Sequence, residues 1–194
     1  MIRLQHVSKQ YGEYIIFSDF SYEIEDGARL CIMGRSGRGK TTLLRMLLNL
    51  EKPDHGYIEG IKDKKIRAVF QENRLLPDFS VRENLRCVCR TKQQTAQISK
   101  MLEKLDLTAW EHQPVSVLSG GMQRRIAIGR ALLAESDILV FDEPFSGLDL
   151  QTKRNMVQVI LEYAKEKILI VTTHMPEDVA LLGAKVLQID ETKF

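Results

Sequence analysis

The chain has 194 residues, 44% apolar and 28% charged, a mix that suits one ordinary globular domain and argues against disorder. Its 28 basic and 26 acidic side chains leave a net charge of +2, so no electrostatic footprint for nucleic acid is present. The three cysteines, Cys31, Cys87 and Cys89, form no disulfide framework and fit a reducing, cytoplasmic setting. No apolar run approaches the ~20 residues a membrane span needs, and residues 1–11 do not read as a signal peptide, so any membrane role has to come through a partner.

In chain order, Ile2–Val7 and Phe17–Ile24 read as strands, and Glu25-Asp26-Gly27 as a turn. Ala28–Met33 reads as a buried strand with Cys31 inside it, followed by a glycine-rich loop and a helix from Lys40 to about Leu50. Pro53-Asp54-His55-Gly56 predicts a turn, and Tyr57–Glu59 and Ile66–Phe70 predict short strands. Ser80-Val81-Arg82-Glu83 has the form of a capping box opening a helix to about Arg90, with Arg82, Arg86 and Arg90 on one face. Ile98, Met101, Leu102 and Leu105 predict a second amphipathic helix, and Ser119-Gly120-Gly121 begins a third that runs to about Ala134. Ile138–Phe141 reads as a strand, Leu150–Ala164 as a helix with Met156, Val157, Ile160, Leu161 and Ala164 inward, and Ile168–Val171 as a strand. Pro176 and Gly183 bracket a short helix, and Lys185–Ile189 predicts a last strand. This strand–helix alternation predicts an α/β fold, a parallel sheet covered by helices.

Gly34-Arg35-Ser36-Gly37-Arg38-Gly39-Lys40-Thr41 matches G-x-x-x-x-G-K-[ST], with a buried strand before it and a helix after it. Glycines at this spacing let successive backbone N–H groups turn toward phosphate oxygens, and the helix N-terminus adds partial positive charge. Lys40 is expected to neutralise the β- and γ-phosphates, and the Thr41 hydroxyl to ligate Mg²⁺, with Thr42 beside it. Taken alone, the loop says nucleotide phosphate and leaves a kinase or GTPase open. A second signal is the apolar strand ending in Asp142-Glu143. Ligands of open α/β sheets sit at the carboxyl ends of strands, so Asp142 is expected to face the metal and Glu143 to orient an attacking water.

Leu118-Ser119-Gly120-Gly121-Met122-Gln123-Arg124-Arg125 resembles the LSGGQ-type signature of ABC ATPases, and the other motifs follow in that family's order. The resemblance implies a P-loop NTPase core with an N-terminal antiparallel β-subdomain and a helical insert carrying the signature. It covers about residues 1–190 of a single domain over 1–194, with 1–70 and 135–194 as core plus β-subdomain and about 72–134 as helical subdomain. It implies that Tyr11 stacks on adenine, that Gln71 contacts Mg²⁺ and water, that Ser146-Gly147-Leu148-Asp149 crosses a dimer interface, and that His174 contacts the γ-phosphate. It further implies two copies facing head to tail, with Ser119, Gly120, Gly121 and Gln123 of one reaching the ATP of the other. Two integral-membrane permease subunits are the implied partners, docking near Gln71–Phe79 with Leu75 and Phe79 as apolar contacts. Gln71-Glu72-Asn73-Arg74-Leu75-Leu76-Pro77 looks like the corresponding loop of importer ATPases for nitrate, sulfonate and taurine. That resemblance implies solute import, with an extracytoplasmic solute-binding protein and a location on the inner face of the cell membrane. A non-transport ABC ATPase, acting in repair, translation or envelope remodelling, stays as the alternative.

The chain departs from the family pattern at a few positions. Arg35 and Arg38 stand in the phosphate loop, Met175 follows His174 where an acidic residue is common, and Gly129 lies inside the signature helix. Glycine there costs about 1 kcal/mol of helix propensity relative to alanine. The Lys40–Gln71 segment is short, which implies a trimmed β-subdomain, and the ~20 residues after His174 leave no room for a regulatory domain.

Overall fold

Strands β6 (Ile138–Asp142) and β7 (Ile168–Thr172) are buried at every position, which is why their sequences are continuous apolar runs rather than alternating ones. In this computed structural model, which describes residues 1–35 and 37–189, they lie at the centre of a five-stranded sheet. Its other members are β3 (Arg29–Met33), β5 (Ile66–Val69) and β8 (Lys185–Gln188), in the order β5-β6-β7-β3-β8, and every pairing is parallel. Successive side chains point to opposite faces. Ile138, Val140, Ile168 and Ile170 therefore enter one core, while Leu139, Phe141, Leu169 and Val171 enter the other.

The first core is closed by a three-stranded antiparallel sheet, β2-β1-β4, made of β1 (Ile2–Tyr11), β2 (Tyr14–Ile24) and β4 (His55–Glu59). β1 runs past the expected Val7 because a register shift between Leu4 and Val7 lets the pairing continue. His6 sits in that shift at φ 50°, so Ile2, Leu4 and Val7 all face inward despite their uneven spacing. Helix α1 (Lys40–Leu47) packs Leu43, Leu44, Met46 and Leu47 into this same core. It stops three residues short of the expected Leu50.

The second core lies beneath the helical segment. The Ser80–Glu83 capping box forms as expected and opens α2 (Val81–Arg86). The helix then ends at Arg86, four residues early, so Arg90 leaves the expected arginine face, and Arg82 pairs with Glu111. A further helix, α3 (Lys92–Ala96), starts from Thr91 with its own capping box to Gln94. The expected stripe is realised by α4 (Ile98–Lys104), with Ile98, Met101, Leu102 and Leu105 all buried. Helix α5 (Gly120–Leu133) crosses α2 and α4, and a Cβ at Gly129 would lie 2.5 Å from Leu105 Cδ1. Glycine stands mid-helix for that close approach, which offsets its poor propensity. Helices α6 (Leu150–Tyr163) and α7 (Pro176–Leu182) complete this side, and Gly183 ends α7 in the left-handed conformation. Leu161 is only partly buried, whereas Met156, Val157, Ile160 and Ala164 are in the core.

Candidate nucleotide site

The carboxyl ends of β3, β6 and β7 are neighbours in the sheet, so the segments that follow them converge. The loop after β3 closes onto α1 through Gly39, at φ 90°, where a Cβ would lie 2.4 Å from Ile16 Cγ2. Only glycine fits there, because a side chain would need both a left-handed backbone and space that β2 already fills. The buried Lys40 ammonium donates to the carbonyls of Gly34 at 2.7 Å and Arg35 at 3.1 Å, bracing the loop from inside. Ser36 lies outside the described residues.

From β6, the buried carboxylate of Asp142 accepts from the Thr172 hydroxyl at 2.5 Å and from the Thr41 hydroxyl at 3.5 Å. Glu143 follows at φ 46°, a conformation that costs a non-glycine residue energy and persists only where its surroundings enforce it. Here the enforcement comes from β7: the Glu143 N–H donates to the Thr172 hydroxyl at 2.9 Å. Its carboxylate stands 3.7 Å from His174 Nδ1, within ion-pair range and beyond a hydrogen bond. His174 is exposed, but the residue before it is fixed. The Thr173 hydroxyl donates to Asp178 at 2.5 Å and accepts from the Met175 N–H, and Asp178 pairs with Lys153 at 2.8 Å.

Tyr11, Gly37, Gly39, Lys40, Thr41, Thr42, Gln71, Asp142 and Glu143 together line one cleft of about 350 Å³. Gln71 also lines a neighbouring cavity with Gly120, Gly121, Ser146 and Gly147. Ser119 lines neither; it caps α5, accepting from the Met122 N–H at 3.3 Å, and stays exposed. Gln123 turns inward and donates to the carbonyls of Val115 and Leu118, both at 3.1 Å. Arg35 and Arg38 stand on the loop itself, Arg35 exposed and Arg38 half-buried.

Two buried polar residues with no role assigned from sequence brace the segments around the cleft, Arg124 at its edge and Asn84 at the loop beyond it. Arg124 on α5 donates to the Asp142 carbonyl at 2.5 Å, the Pro144 carbonyl at 3.2 Å, Asn73 Oδ1 at 3.2 Å and the Phe70 carbonyl. Burial pulls its guanidinium pKa down, while Asp142 and Glu143 push it back up. Asn84 on α2 accepts from the Leu76 N–H at 2.8 Å and donates to the carbonyls of Leu76, Phe79 and Ser80. These bonds tie down a loop on which Leu76 and Phe79 are exposed. Leu75, expected as an outward contact, instead packs against the second core, and Leu76 takes its place at the surface. The signal for Arg124 was the doubled arginine after the signature, and for Asn84 a lone amide amid the apolar positions of α2.

The family profile described as ABC transporter matches residues 17–146. An Fe(3+) ions import ATP-binding protein of Pectobacterium atrosepticum is 35% identical over 85% of this chain and 51% of its own length. A sulfate/thiosulfate import ATP-binding protein of Synechococcus elongatus is 34% identical over 80% of this chain and 49% of its own. A Nod factor export ATP-binding protein of Burkholderia orbicola is 34% identical over 98% of this chain and 68% of its own. The chain thus spans about half the length of the two import proteins. A solved chain from a transporter described as of the metal-chelate ABC type, in an inward-facing conformation, superposes with a TM-score of 0.81 at 26% identity, covering 97% of this chain and 79% of that one. No helix among the described residues is long and apolar enough to cross a membrane. From the matched profile and these relatives, the chain belongs to the ABC transporter family as an ATP-binding domain.

Proposed function

We propose that this chain is the ATP-binding and ATP-hydrolysing subunit of an ABC transporter, a single domain over 1–194 working on the inner face of a membrane that its partners span. The observation that carries the reading is the shared lining of one cleft by Lys40, Thr41, Gln71, Asp142 and Glu143, with the Ser119 cap outside it. Phosphate recognition falls to the loop of Gly34, Arg35, Ser36, Gly37, Arg38 and Gly39 with Lys40, and to Thr42, which lines the same cleft. The Thr41 hydroxyl and an Asp142 oxygen, 3.5 Å apart, are hard oxygen donors suited to Mg²⁺, with Gln71 as a further one. When bound there, Mg²⁺ supplies charge neutralisation on the phosphates. Glu143 orients the attacking water, and His174 reaches the γ-phosphate from the end of β7. Tyr11 offers its ring to the adenine.

Because Ser119 is outside the cleft of its own chain, the signature cap is assigned to the ATP of a second copy, in a head-to-tail dimer with two nucleotides between the copies. Ser119 and the N–H groups of Gly120 and Gly121 make that contact, while Gln123 holds the cap's backbone. Two integral-membrane permease subunits dock along Gln71–Phe79, where exposed Leu76 and Phe79 present apolar surface. We read the direction as import of a small solute, delivered by an extracytoplasmic solute-binding protein. Two of the relatives above are import proteins, which supports that direction, and the Nod factor relative makes export its competitor.

Replacing Glu143 with Gln tests the core of this reading. The variant is expected to bind ATP, to lose roughly 10²-fold or more in phosphate release, and to elute as a dimer only with ATP. Undiminished phosphate release would remove Glu143 from the chemistry. ATP-dependent co-purification with an integral-membrane partner distinguishes a transporter from a non-transport ATPase.

A further inference from the structure

Tyr11 lies at the open end of β1, 45% exposed, where a ring held only by its backbone would swing freely. It does not stand alone. Its hydroxyl donates to Glu51 Oε1 at 2.5 Å, and the same carboxylate lies 3.2 Å from Lys9 Nζ and 3.4 Å from Arg45 Nε. Glu51 is itself largely buried by these neighbours, its side chain 16% exposed. Lys9 approaches the Tyr11 ring to 5.4 Å and also bonds the Lys52 carbonyl and Asp54, while Asp54 accepts from the Gln10 N–H at 2.8 Å. Both the ring and the strand that carries it are thus tied to residues 51–54. That segment follows directly on α1, whose first turn carries Lys40 and Thr41 and whose last turn carries Arg45.

We propose that Glu51 is the positioning residue for base recognition: it fixes the Tyr11 ring at the mouth of the cleft and couples its orientation to the helix that starts at the phosphate loop. The inference rests on the reading that Tyr11 stacks on the base. Stacking needs only the face of the ring, so the phenol hydroxyl has no part in touching the base. The hydroxyl instead serves the orientation of the ring, through the charge-assisted bond to Glu51 and a lesser one with Thr42, before the nucleotide arrives. Glu51 is held ionised for this purpose, because the Tyr11 hydroxyl, opposed by burial and helped by Lys9, draws its carboxyl below the usual range. A ligand without a base gains nothing from an oriented ring, and that separates positioning from a general effect on the fold.

The test is calorimetric titration of the whole chain with Mg-ATP and, separately, with inorganic tripolyphosphate. Glu51→Gln and Tyr11→Phe are each expected to weaken ATP roughly three- to tenfold while leaving tripolyphosphate unchanged. The double variant is expected to be about as weak as Glu51→Gln alone, since the charge-assisted Tyr11–Glu51 bond can be lost only once. Tyr11→Phe leaves the Glu51 pairs with Lys9 and Arg45 in place, so it reads the bond even if Glu51→Gln fails to fold. Equal weakening of both ligands, or unchanged ATP affinity in Tyr11→Phe, overturns the proposal. Tyr11→Ala tells the two failures apart. If it also leaves ATP affinity unchanged, the ring is not the base platform at all; if it weakens ATP where Tyr11→Phe does not, only the role of Glu51 is lost.

Discussion

The guanidinium of Arg124, five residues into the signature helix from Ser119, donates at 2.5 Å to the main-chain carbonyl of Asp142, the acidic residue expected at the metal. A single buried side chain therefore joins the cap assigned to one nucleotide with the strand end assigned to another. It also takes in the Phe70 and Pro144 carbonyls and Asn73, so the segment after β5 is bound to the same point.

Lysine cannot replace that fork, since an ammonium is a point charge with no planar array of donors. Arg124→Lys is expected to leave buried carbonyls unsatisfied and to cost about 2–3 kcal/mol of stability. Hydrolysis should fall with it, because Asp142 and Glu143 lose their common anchor. Urea unfolding and phosphate release measure the two effects, and a variant equal to wild type in both would show that the bonds are incidental.

Asn84 invites a different separation. Its amide is fully buried and makes four bonds to the backbone of the Leu76–Ser80 loop, away from the cleft lining. Asn84→Ala is expected to destabilise the chain by about 2 kcal/mol, as the orphaned Leu76 groups lose their partner. The isolated subunit should keep its basal hydrolysis. Stimulation by the membrane partner should drop, because Leu76 and Phe79 would no longer be held outward. Loss of basal activity with normal stimulation would reverse this assignment.

These two residues mark where sequence reading stops. The phosphate loop, the acidic strand end and the Ser119 cap were legible because each works through neighbours in sequence, at spacings that backbone geometry dictates. Most partners of Arg124 are main-chain carbonyls 18 to 54 residues away, and main-chain carbonyls leave no mark in side-chain identity. The break between α2 and α3 was missed for a local reason. Thr91 and Gln94 form a capping box of the same kind as Ser80 and Glu83, but no apolar stripe follows closely enough to draw attention to it. Residues 8–11 fall outside the expected strand because Ser8, Lys9 and Gln10 show no apolar alternation.

Gly129 reads in sequence as a weakness of the signature helix and in structure as a contact. A methyl group there would meet Leu105 at 2.5 Å and both Leu85 and Met101 at 3.4 Å. Gly129→Ala gains about 1 kcal/mol of helix propensity but overpacks a buried junction, at a cost of roughly 1–3 kcal/mol. The expected net effect is a loss of about 1 kcal/mol in urea unfolding. A stabilised variant would mean that Leu105 moves aside freely.

Cys31 offers a pH test of the core behind the phosphate loop. It lies in β3, and burial, with a smaller push from Asp178, raises its thiol from 9.0 to about 12. The folded state therefore holds the proton more tightly than the unfolded chain does. A raised folded value gives stability that is complete below the unfolded pKa and is lost as pH climbs toward the folded one. Between pH 9 and 11 the wild type should lose up to about 1.4 kcal/mol per pH unit relative to Cys31→Ala, which has nothing to ionise at this position. Other groups titrate in the same range in both proteins, so the quantity to follow is the difference between their urea unfolding free energies. Below pH 8 that difference should be constant. A difference that stays flat through pH 11 would mean that the thiol ionises alike in the folded and unfolded chains, so that the core around β3 admits water.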